Sequence, residues 1–176
     1  MRQMLTKLEE GMKGETRREV YLWLGKSSPD KYEDSIEKRV ENTCDWVLDR
    51  SFFTSWMESE DSPGLKLLWT YALAGFGKTI LCAHIIRHLS SALASPVAHF
   101  FFTSDHESRE GPFVALRSWI SQIAAQNEDA FQRVHEAWET DSAETASRIT
   151  LIELFSAINH SVPGCIFVAD GLDECF

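Results

Sequence analysis

Residues 67–80 read LLWTYALAGFGKTI, and this stretch contains the pattern that decides the fold. Its first part, Leu67–Tyr71, is a short apolar run typical of a buried strand. A loop of small residues, Ala72–Gly77, follows it. After Lys78, apolar residues recur at helical spacing, which predicts a helix: Ile80, Leu81, Ile85, Ile86 and Leu89. A strand, a glycine-containing loop and a helix in this order form the structural context of a phosphate-binding loop.

The loop fits the pattern G-x-x-x-x-G-K-[S/T] at every fixed position except the first. Gly75 and Gly77 allow the backbone to curl so that successive N–H groups face an anion, and the helix N-terminus adds its dipole. Lys78 would lie near the β- and γ-phosphates of a nucleotide, and the Thr79 hydroxyl is suited to Mg²⁺. We therefore predict nucleotide-binding residues throughout this segment: Ala72, Leu73, Ala74, Gly75, Phe76, Gly77, Lys78, Thr79 and Ile80.

Ala72 stands where the pattern has its first glycine. A non-glycine residue costs on the order of 1–2 kcal/mol where a positive φ is required, so we expect a slightly distorted loop with reduced affinity. The alternative interpretation is a glycine-rich turn whose Lys78 is merely solvent-exposed. The position of the loop between a predicted strand and a predicted helix favours phosphate binding.

Two further apolar runs, Val97–Phe102 and Cys165–Ala169, predict strands. Helical patterns lie between them, over about Pro112–Gln126, Asp129–Trp138 and Thr150–Asn159. Continuous apolar strands separated by helices are typical of a parallel sheet covered on both faces. We therefore predict an α/β fold.

An acidic motif, Asp170-Gly171-Leu172-Asp173-Glu174, directly follows the third predicted strand. This position is the C-terminal edge of a parallel sheet, where such folds bind ligands. Asp170, together with Thr79, is therefore a candidate Mg²⁺ ligand. Asp173 and Glu174 are candidate catalytic carboxylates that would orient an attacking water. Taken alone, the motif would indicate a solvated acidic turn, but the upstream phosphate loop favours the functional interpretation.

The composition excludes several classes of function. The chain has 176 residues and a formal net charge of −10, which disfavours nucleic-acid binding because an acidic surface repels phosphate backbones. No apolar stretch approaches the length of a membrane span. The four cysteines lack the spacing of a metal site, so we expect reduced thiols in a cytoplasmic protein: Cys44, Cys82, Cys165 and Cys175. Cys82 and Cys165 lie in apolar runs typical of a core.

Residues 1–60 are predicted to form a helical lead-in, and residues 61–176 the nucleotide-binding domain. The boundary lies at the turn signal Asp61-Ser62-Pro63-Gly64. From Tyr32, apolar residues at helical spacing predict one helix: Ile36, Val40, Cys44 and Val47. The lead-in is either an adaptor that packs beside the domain or a helical hairpin that covers a sheet edge, and both interpretations stay open.

The two nucleotide motifs together resemble a NACHT domain of the signal-transduction NTPases with numerous domains. They are similar to the nephrocystin-like N-terminal type that is abundant in fungal NOD-like receptors. The resemblance covers about Val20–Cys175. Softer similarities accompany the motifs in the lead-in, before the loop and in the second strand: Trp23-Leu24, Arg39, Thr43, Trp46, Phe53, Trp56, Leu68-Trp69, His99–Phe102 and Asp105.

This resemblance implies a P-loop NTPase sheet flanked by helices and a switch that exchanges ADP for ATP, oligomerises and is reset by slow hydrolysis. Lys78 and Thr79 carry over as phosphate and Mg²⁺ residues, Asp170 as the Mg²⁺-associated carboxylate, and Asp173 and Glu174 as the catalytic pair. The preference for ATP rests on the resemblance alone. A partner would be a second copy or a signalling protein. A small-molecule kinase is disfavoured because no arginine cluster follows the loop.

In the resembled fold, a further strand with a sensor residue lies between the phosphate-loop strand and the Asp170 strand. This sequence ends at Phe176, so we expect an incomplete sheet and weak or absent hydrolysis unless sensor segments are supplied. We also expect that the isolated chain is marginally stable or pairs its two motif strands directly. The alternative function is a truncated, non-catalytic interaction or decoy fragment that uses the lead-in and an open sheet edge.

Overall fold

The computed structural model describes residues 14–25, 31–58, 66–103 and 111–174. Within these residues the chain is mostly helical, with one small sheet. The helices are α1 (14–24), α2 (Lys31–Glu37), α3 (Ser51–Glu58), α4 (Lys78–Ala92), α5 (Pro112–Gln126), α6 (Glu128–Thr140) and α7 (Arg148–Ser161). The strands are β1 (Val97–Phe101) and β2 (Ile166–Asp170), and short 3-10 turns span Asp45–Val47 and Leu172–Glu174.

The two strands pair in parallel, with Val97 opposite Ile166 and Phe101 opposite Asp170. The predicted strands Val97–Phe102 and Cys165–Ala169 are therefore confirmed to within one residue. Helices α5, α6 and α7 make the long connection that a parallel pair requires. This arrangement is compatible with the predicted α/β class.

Side chains of the two strands alternate between two apolar clusters, as the period of a strand dictates. On one face, Val97 and Phe101 pack with Ile86 and Leu89 of α4. On the other face, Ala98 packs with buried residues of α5, α6 and α7, which include Ile120, Ile123, Val134, Leu151 and Ile158. The sheet is thus covered by helices on both faces.

The last three helices begin at residues suited to helix starts. Pro112 is at the first turn of α5. The side chain of Asn127 accepts a hydrogen bond from Ala130 N (3.0 Å) at α6, and Ser147 accepts one from Thr150 N (3.1 Å) at α7. The helices predicted from periodicity over 112–126, 129–138 and 150–159 are confirmed, with ends that differ by no more than two residues.

Helix α1 packs into the same cluster as α5, α6 and α7. Val20, Trp23 and Leu24 are almost completely buried there. Arg117 of α5 donates hydrogen bonds to the carbonyl oxygens of Leu24 and Ala146 (2.9 Å for Ala146), which fixes the end of the helix. The predicted division of the chain at residue 60 stays a prediction, but α1 shares its core with residues beyond it.

The single helix predicted from Tyr32 to Val47 is wrong beyond Glu37, where α2 ends. Asn42 and Cys44 have positive φ values of 61° and 72°, which an α-helix cannot accommodate. The apolar residues at helical spacing therefore lie in separate short elements rather than in one helix. Helix α2 still lies near the sheet, since the ring centroids of Tyr32 and His99 are 4.8 Å apart.

The predicted strand Leu67–Tyr71 is also wrong for this structure, because residues 66–73 contain no helix or strand. The described sheet contains β1 and β2 alone, and neither pairs with this segment. Leu68 packs against the α4 cluster, whereas Trp69 and Tyr71 are 63% and 88% exposed. An apolar run forms a strand only where a neighbouring strand takes up its backbone hydrogen bonds.

Candidate functional site

The glycines of the predicted phosphate loop adopt the conformations that the pattern requires. Gly75 has φ 83°, and Gly77 has φ 75° and ψ 23° and forms the N-cap of α4. A Cβ atom at either glycine would meet no atom within 4 Å, so glycine is favoured here by backbone conformation rather than by crowding. The first hydrogen bond of the helix runs from Leu81 N to Gly77 O (2.9 Å).

The side chain of Lys78 folds back over the loop that precedes it. Its Nζ donates hydrogen bonds to Ala72 O (2.9 Å) and Leu73 O (3.3 Å). Phe76 N also bonds to Leu73 O (3.4 Å), which closes a turn. Residues 72–77 are exposed to solvent. The loop is therefore open, and its ammonium group bonds to neutral carbonyl oxygens that an anion would outcompete.

Asp170 ends β2 at the carboxyl edge of the sheet. Its carbonyl oxygen accepts a hydrogen bond from Phe102 N (2.9 Å), which continues the ladder past β1. The negative charge of the Asp170 carboxylate also affects the thiol of Cys82, which lies one helical turn after Lys78. Burial, reinforced by this negative charge, raises the pKa of the Cys82 thiol to about 12. The structure thus brings Asp170 and the beginning of α4 to the same end of the sheet.

Gly171 turns the chain directly after Asp170, and the sequence did not reveal why it must be glycine. Its φ is 71°, and a Cβ atom there would lie 2.8 Å from Phe102 O. The Asp-Gly pair is a turn signal, but the crowding comes from the neighbouring strand. A glycine therefore allows the acidic motif to leave β2 at this edge.

The two candidate catalytic carboxylates follow in the 3-10 turn Leu172–Glu174. Asp173 is exposed. Among the described residues, no hydrogen bond or ion pair joins Asp173 to the loop, and the side chain of Glu174 lies outside what the structure describes. In the described part of the chain, Asp173 is therefore not held against Lys78.

The residues at this edge fit a Mg²⁺–polyphosphate group better than a metal bound by protein alone. In the described part of the chain, His, Cys, Asp and Glu side chains form no cluster of three or more that could hold a metal ion. Thr79 and Asp170 supply at most two oxygen ligands. Mg²⁺ in proteins commonly keeps several waters and takes phosphate oxygens beside one or two carboxylates. The left-handed glycines, the helix N-terminus and Lys78 are donors that suit those phosphates.

Comparison with known proteins bears on the whole arrangement. The family described as "Nephrocystin 3, N-terminal" matches residues 42–176. The chain belongs to this family. The nephrocystin-like assignment predicted from the two nucleotide motifs is therefore confirmed, and with it a NACHT-related region of the kind found in fungal NOD-like receptor proteins. Helix α1 precedes the matched residues.

A curated relative of this nephrocystin-type chain is the vegetative incompatibility protein HET-E-1 of Podospora anserina. The two are 29% identical over 138 residues, which is 74% of this chain and 10% of the relative. The chain thus spans about a tenth of the relative's length. No solved structure matches the chain significantly. Among the described residues, no helix has the length and apolar character needed to cross a membrane.

Proposed function

We propose that this chain is a nucleotide-binding switch module that holds the phosphates of ADP or ATP on residues 72–80. The observation that carries the proposal is the left-handed Gly77, which caps α4 directly before Lys78 at the sheet edge where β2 ends in Asp170. A helix N-terminus, a lysine and a carboxylate at one edge of a parallel sheet match what phosphate binding needs. Membership of a NACHT-related family supports the same function.

Each residue has a part that follows from its chemistry. The N–H groups at the start of α4 precede the first helical hydrogen bond, so they are available to phosphate oxygens. Lys78 would exchange its bonds with the carbonyl oxygens of Ala72 and Leu73 for bonds to phosphate. Thr79 and Asp170 would hold Mg²⁺, which neutralises phosphate charge when it is bound.

Hydrolysis of ATP in this proposal is slow or absent. Asp173 and Glu174 are the carboxylates that would orient water, but Asp173 is exposed, and no contact with another described residue holds it toward the loop. General bases act from a fixed position within hydrogen-bond reach of the water they activate. Binding therefore needs fewer fixed groups than turnover does.

A second candidate function is a non-catalytic interaction or decoy fragment that binds a second copy or a cytoplasmic signalling protein. The observation that favours it is a run of large apolar side chains that are mostly exposed. They are Leu67, Trp69, Tyr71, Leu73 and Phe76, each more than 60% accessible. Exposed apolar patches often mark interaction sites.

Thermal unfolding with and without nucleotide tests the first candidate. A ligand that binds the folded state at 100 times its Kd adds about 2.7 kcal/mol of stability. We expect Mg²⁺-ADP and Mg²⁺-ATP to raise the midpoint for the wild type and for Lys66→Ala, which removes a nearby charge outside the loop. Lys78→Ala should lose the shift. An equal shift in both variants would contradict phosphate binding at the loop.

Sedimentation of the same proteins separates the two candidates. A switch module should change its assembly state between ADP and ATP, and Lys78→Ala should remove that dependence. An interaction fragment should assemble to the same extent in every nucleotide and in the variant. Assembly that is insensitive to both nucleotide and Lys78 would favour the second candidate.

A further inference from the structure

Residues 39–47 lie against α4 with few anchors. Val47 is the one residue of this segment that is almost completely buried, and it packs in the apolar cluster that contains Leu89 of α4. Each described backbone hydrogen bond of the segment joins residues that are three apart in the sequence, so none ties it to another part of the fold. A segment with so few buried contacts can open while the rest of the protein stays folded.

Arg39 closes this segment into a loop and positions its acidic residue. The Nη1 atom of Arg39 donates hydrogen bonds to Thr43 O and, at 3.5 Å, to Asp45 Oδ1. The same carboxylate oxygen lies 3.1 Å from Nε2 of His84 on α4. The segment therefore makes a polar contact with α4 through Asp45.

The contacts of the His84 ring suit its neutral form. The side chain is only 5% exposed, and Nδ1 lies 3.4 Å from Nη2 of Arg87. Because a guanidinium group only donates, Nδ1 accepts this hydrogen bond, which a protonated ring cannot do. Although Nε2 is close to Asp45, it has no aligned hydrogen-bond partner among the described residues. Protonation would therefore remove the bond with Arg87 and leave a buried charge.

The surroundings of His84 also disfavour its charged form. Burial lowers the pKa of the ring most, and Arg39, Arg87 and His88 lower it further, against the opposing effect of Asp45. The sheet presents His99 and Asp170 to α4, where His99 lies against Tyr32 and Asp170 affects Cys82. The remaining charged side chains of residues 31–58 are exposed: Lys31, Glu33, Asp34, Glu37, Lys38, Glu41, Asp49, Arg50 and Glu58.

We propose that residues 39–47 form a pH-sensitive latch on α4, which is closed over the neutral ring of His84 and opens when the ring takes up a proton. Opening exposes the ring to water and moves it away from Arg39, and it requires the exposure of one anchor, Val47. Because α4 begins at Lys78, the latch joins the lead-in to the helix of the candidate site. It operates whether or not the loop binds nucleotide.

The direction of the pH effect follows from the two states of the ring. In the open state the pKa of His84 returns to about 6.5, whereas in the closed state it is lower. The closed state is therefore fully favoured above that value and loses this advantage as the pH falls toward the pKa of the closed state. Between pH 7 and pH 5, one such proton can raise the open population by at most about 25-fold.

The labelling rate of a buried thiol at position 47 measures how often the latch opens. The variant Val47→Cys places a thiol at the anchor, and Ala98→Cys places one at a completely buried position of β1. Each rate is followed by peptide-resolved mass spectrometry and divided by that of an unstructured peptide thiol at the same pH, which gives a protection factor. From pH 7 to pH 5, the protection of Val47→Cys should fall at least about three-fold. That of Ala98→Cys should change less.

Three further substitutions in the Val47→Cys protein assign the effect to His84. His84→Gln cannot take up the proton, so the protection should become independent of pH. His160→Gln, which changes an exposed histidine of α7, should behave as its parent. Asp45→Asn removes the charge that favours the protonated ring, so the fall in acid should be as large or larger.

Several results would overturn the latch. Protection that is constant or rises in acid would show that the contact between Asp45 and His84 outweighs burial. An equal fall at both thiols would indicate unfolding of the whole protein, and a fall that persists in His84→Gln would assign the effect to another group. If His84→Gln does not fold, Asp45→Asn decides, since a smaller fall in that variant would also contradict the proposal.

Discussion

Two glycines next to the candidate site have the same sign of φ for different physical reasons. At Gly77 the conformation caps α4, and space around the Cα is open. At Gly171 the chain passes so close to Phe102 O that a Cβ atom would lie 2.8 Å away. The first position tolerates a side chain at the cost of backbone strain. At the second position, a side chain would cause the same backbone strain and would also clash with the backbone of the neighbouring strand.

Replacement of these glycines by alanine therefore should have unequal effects on stability. We expect Gly77→Ala to lower the free energy of unfolding by about 1 kcal/mol, the cost of a left-handed alanine. Gly171→Ala should lower it by at least about 1 kcal/mol more, because strain and overpacking add. Urea unfolding without ligand measures both. Equal losses would show that the contact with Phe102 is relieved at little cost.

His84 is a buried titratable group on the helix that begins at the loop. Burial lowers the pKa of its imidazole, and the charge of Arg39 lowers it further, against the opposing effect of Asp45. Arg87 and His88 contribute in the same direction as Arg39. The distance from His84 Nε2 to Asp45 Oδ1 is 3.1 Å. Although this contact favours the charged ring, burial and Arg39 outweigh it, so the folded protein favours the neutral ring.

This pKa shift predicts a loss of stability in acid. Because the folded pKa lies below the unfolded value of about 6.5, the unfolded chain takes up the proton first. The contribution of His84 is complete above that value and is lost as the pH falls toward the folded pKa. Between pH 7 and pH 5, the free energy of unfolding should fall less steeply in His84→Gln than in the wild type.

The exposed His160 supplies the control for this measurement. It lies in the last turn of α7, where its side chain is exposed. The variant His160→Gln should keep the slope of the wild type. Identical slopes for all three proteins would show that His84 does not contribute to the acid sensitivity.

At the scale of elements, α5 packs on the sheet and also hydrogen-bonds to the edge of β1. Gln122 and Gln126 bond to alternate residues of β1, one helical turn apart. They pair the backbone groups of Val97 and His99 at the edge of the sheet that α5 covers. Natural sheets commonly protect edge strands from pairing with other chains, and here two glutamines do so.

Removal of either glutamine side chain should destabilise the protein. Gln122→Ala and Gln126→Ala each leave an N–H and a C=O of β1 without a partner, which costs roughly 1–3 kcal/mol where the groups stay shielded from water. The exposed Gln132 on α6 is the matched control, with an expected change within about 0.5 kcal/mol. Urea unfolding compares the three variants, and equal effects would show that the bonds of Gln122 and Gln126 to β1 do not stabilise the protein.

The spacing of apolar residues predicted the strands β1 and β2 and the helices α4 to α7. In these elements the buried positions recur at the period of the strand or helix itself. The spacing failed for Leu67–Tyr71, whose state depends on a neighbouring strand, and for the run from Tyr32, where Asn42 and Cys44 turn the chain. The bonds of Gln122 and Gln126 to β1 were also not predicted, since a glutamine on a helix carries no pattern that indicates its partner. Structural features that depend on contacts between residues distant in sequence could not be predicted from the spacing of apolar residues.

At the scale of the molecule, α1 extends the fold beyond the residues matched by the family. Its buried face shares a cluster with α5, α6 and α7, and Arg117 ties its last carbonyl to the core. Gly25, with φ 103°, passes beside this arginine, and a Cβ atom there would lie 2.9 Å from Arg117 Nη1. The helix is therefore part of the core on which the candidate site rests.

Two leucines of α1 test this role within one helix. Leu24 is completely buried, whereas Leu22 is 60% exposed. Leu24→Ala should cost about 2–5 kcal/mol, the range for a buried leucine, and Leu22→Ala about 0.5 kcal/mol or less. Thermal or urea unfolding measures the difference. Similar small effects for both variants would show that α1 contributes little to the stability of the core.

The candidate site was predictable from sequence in its composition but not in its geometry. The motifs identified Lys78, Thr79 and Asp170, and the structure brings the beginning of α4 and Asp170 to one edge of the sheet. The open loop and the bonds of Lys78 to the carbonyl oxygens of Ala72 and Leu73 depend on how the chain before the loop is held. Under the proposed function, those features would decide the affinity for nucleotide and the rate of hydrolysis, which motifs alone do not specify.

Calorimetric titration with Mg²⁺-ADP and Mg²⁺-ATP measures whether the loop at Lys78 binds nucleotide, with Lys78→Ala and Lys66→Ala compared with the wild type. We predict saturable binding of one nucleotide per chain by the wild type and Lys66→Ala, and loss of this binding in Lys78→Ala. Absence of heat with any of the folded proteins, or binding that Lys78→Ala retains in full, would contradict a phosphate site at this loop.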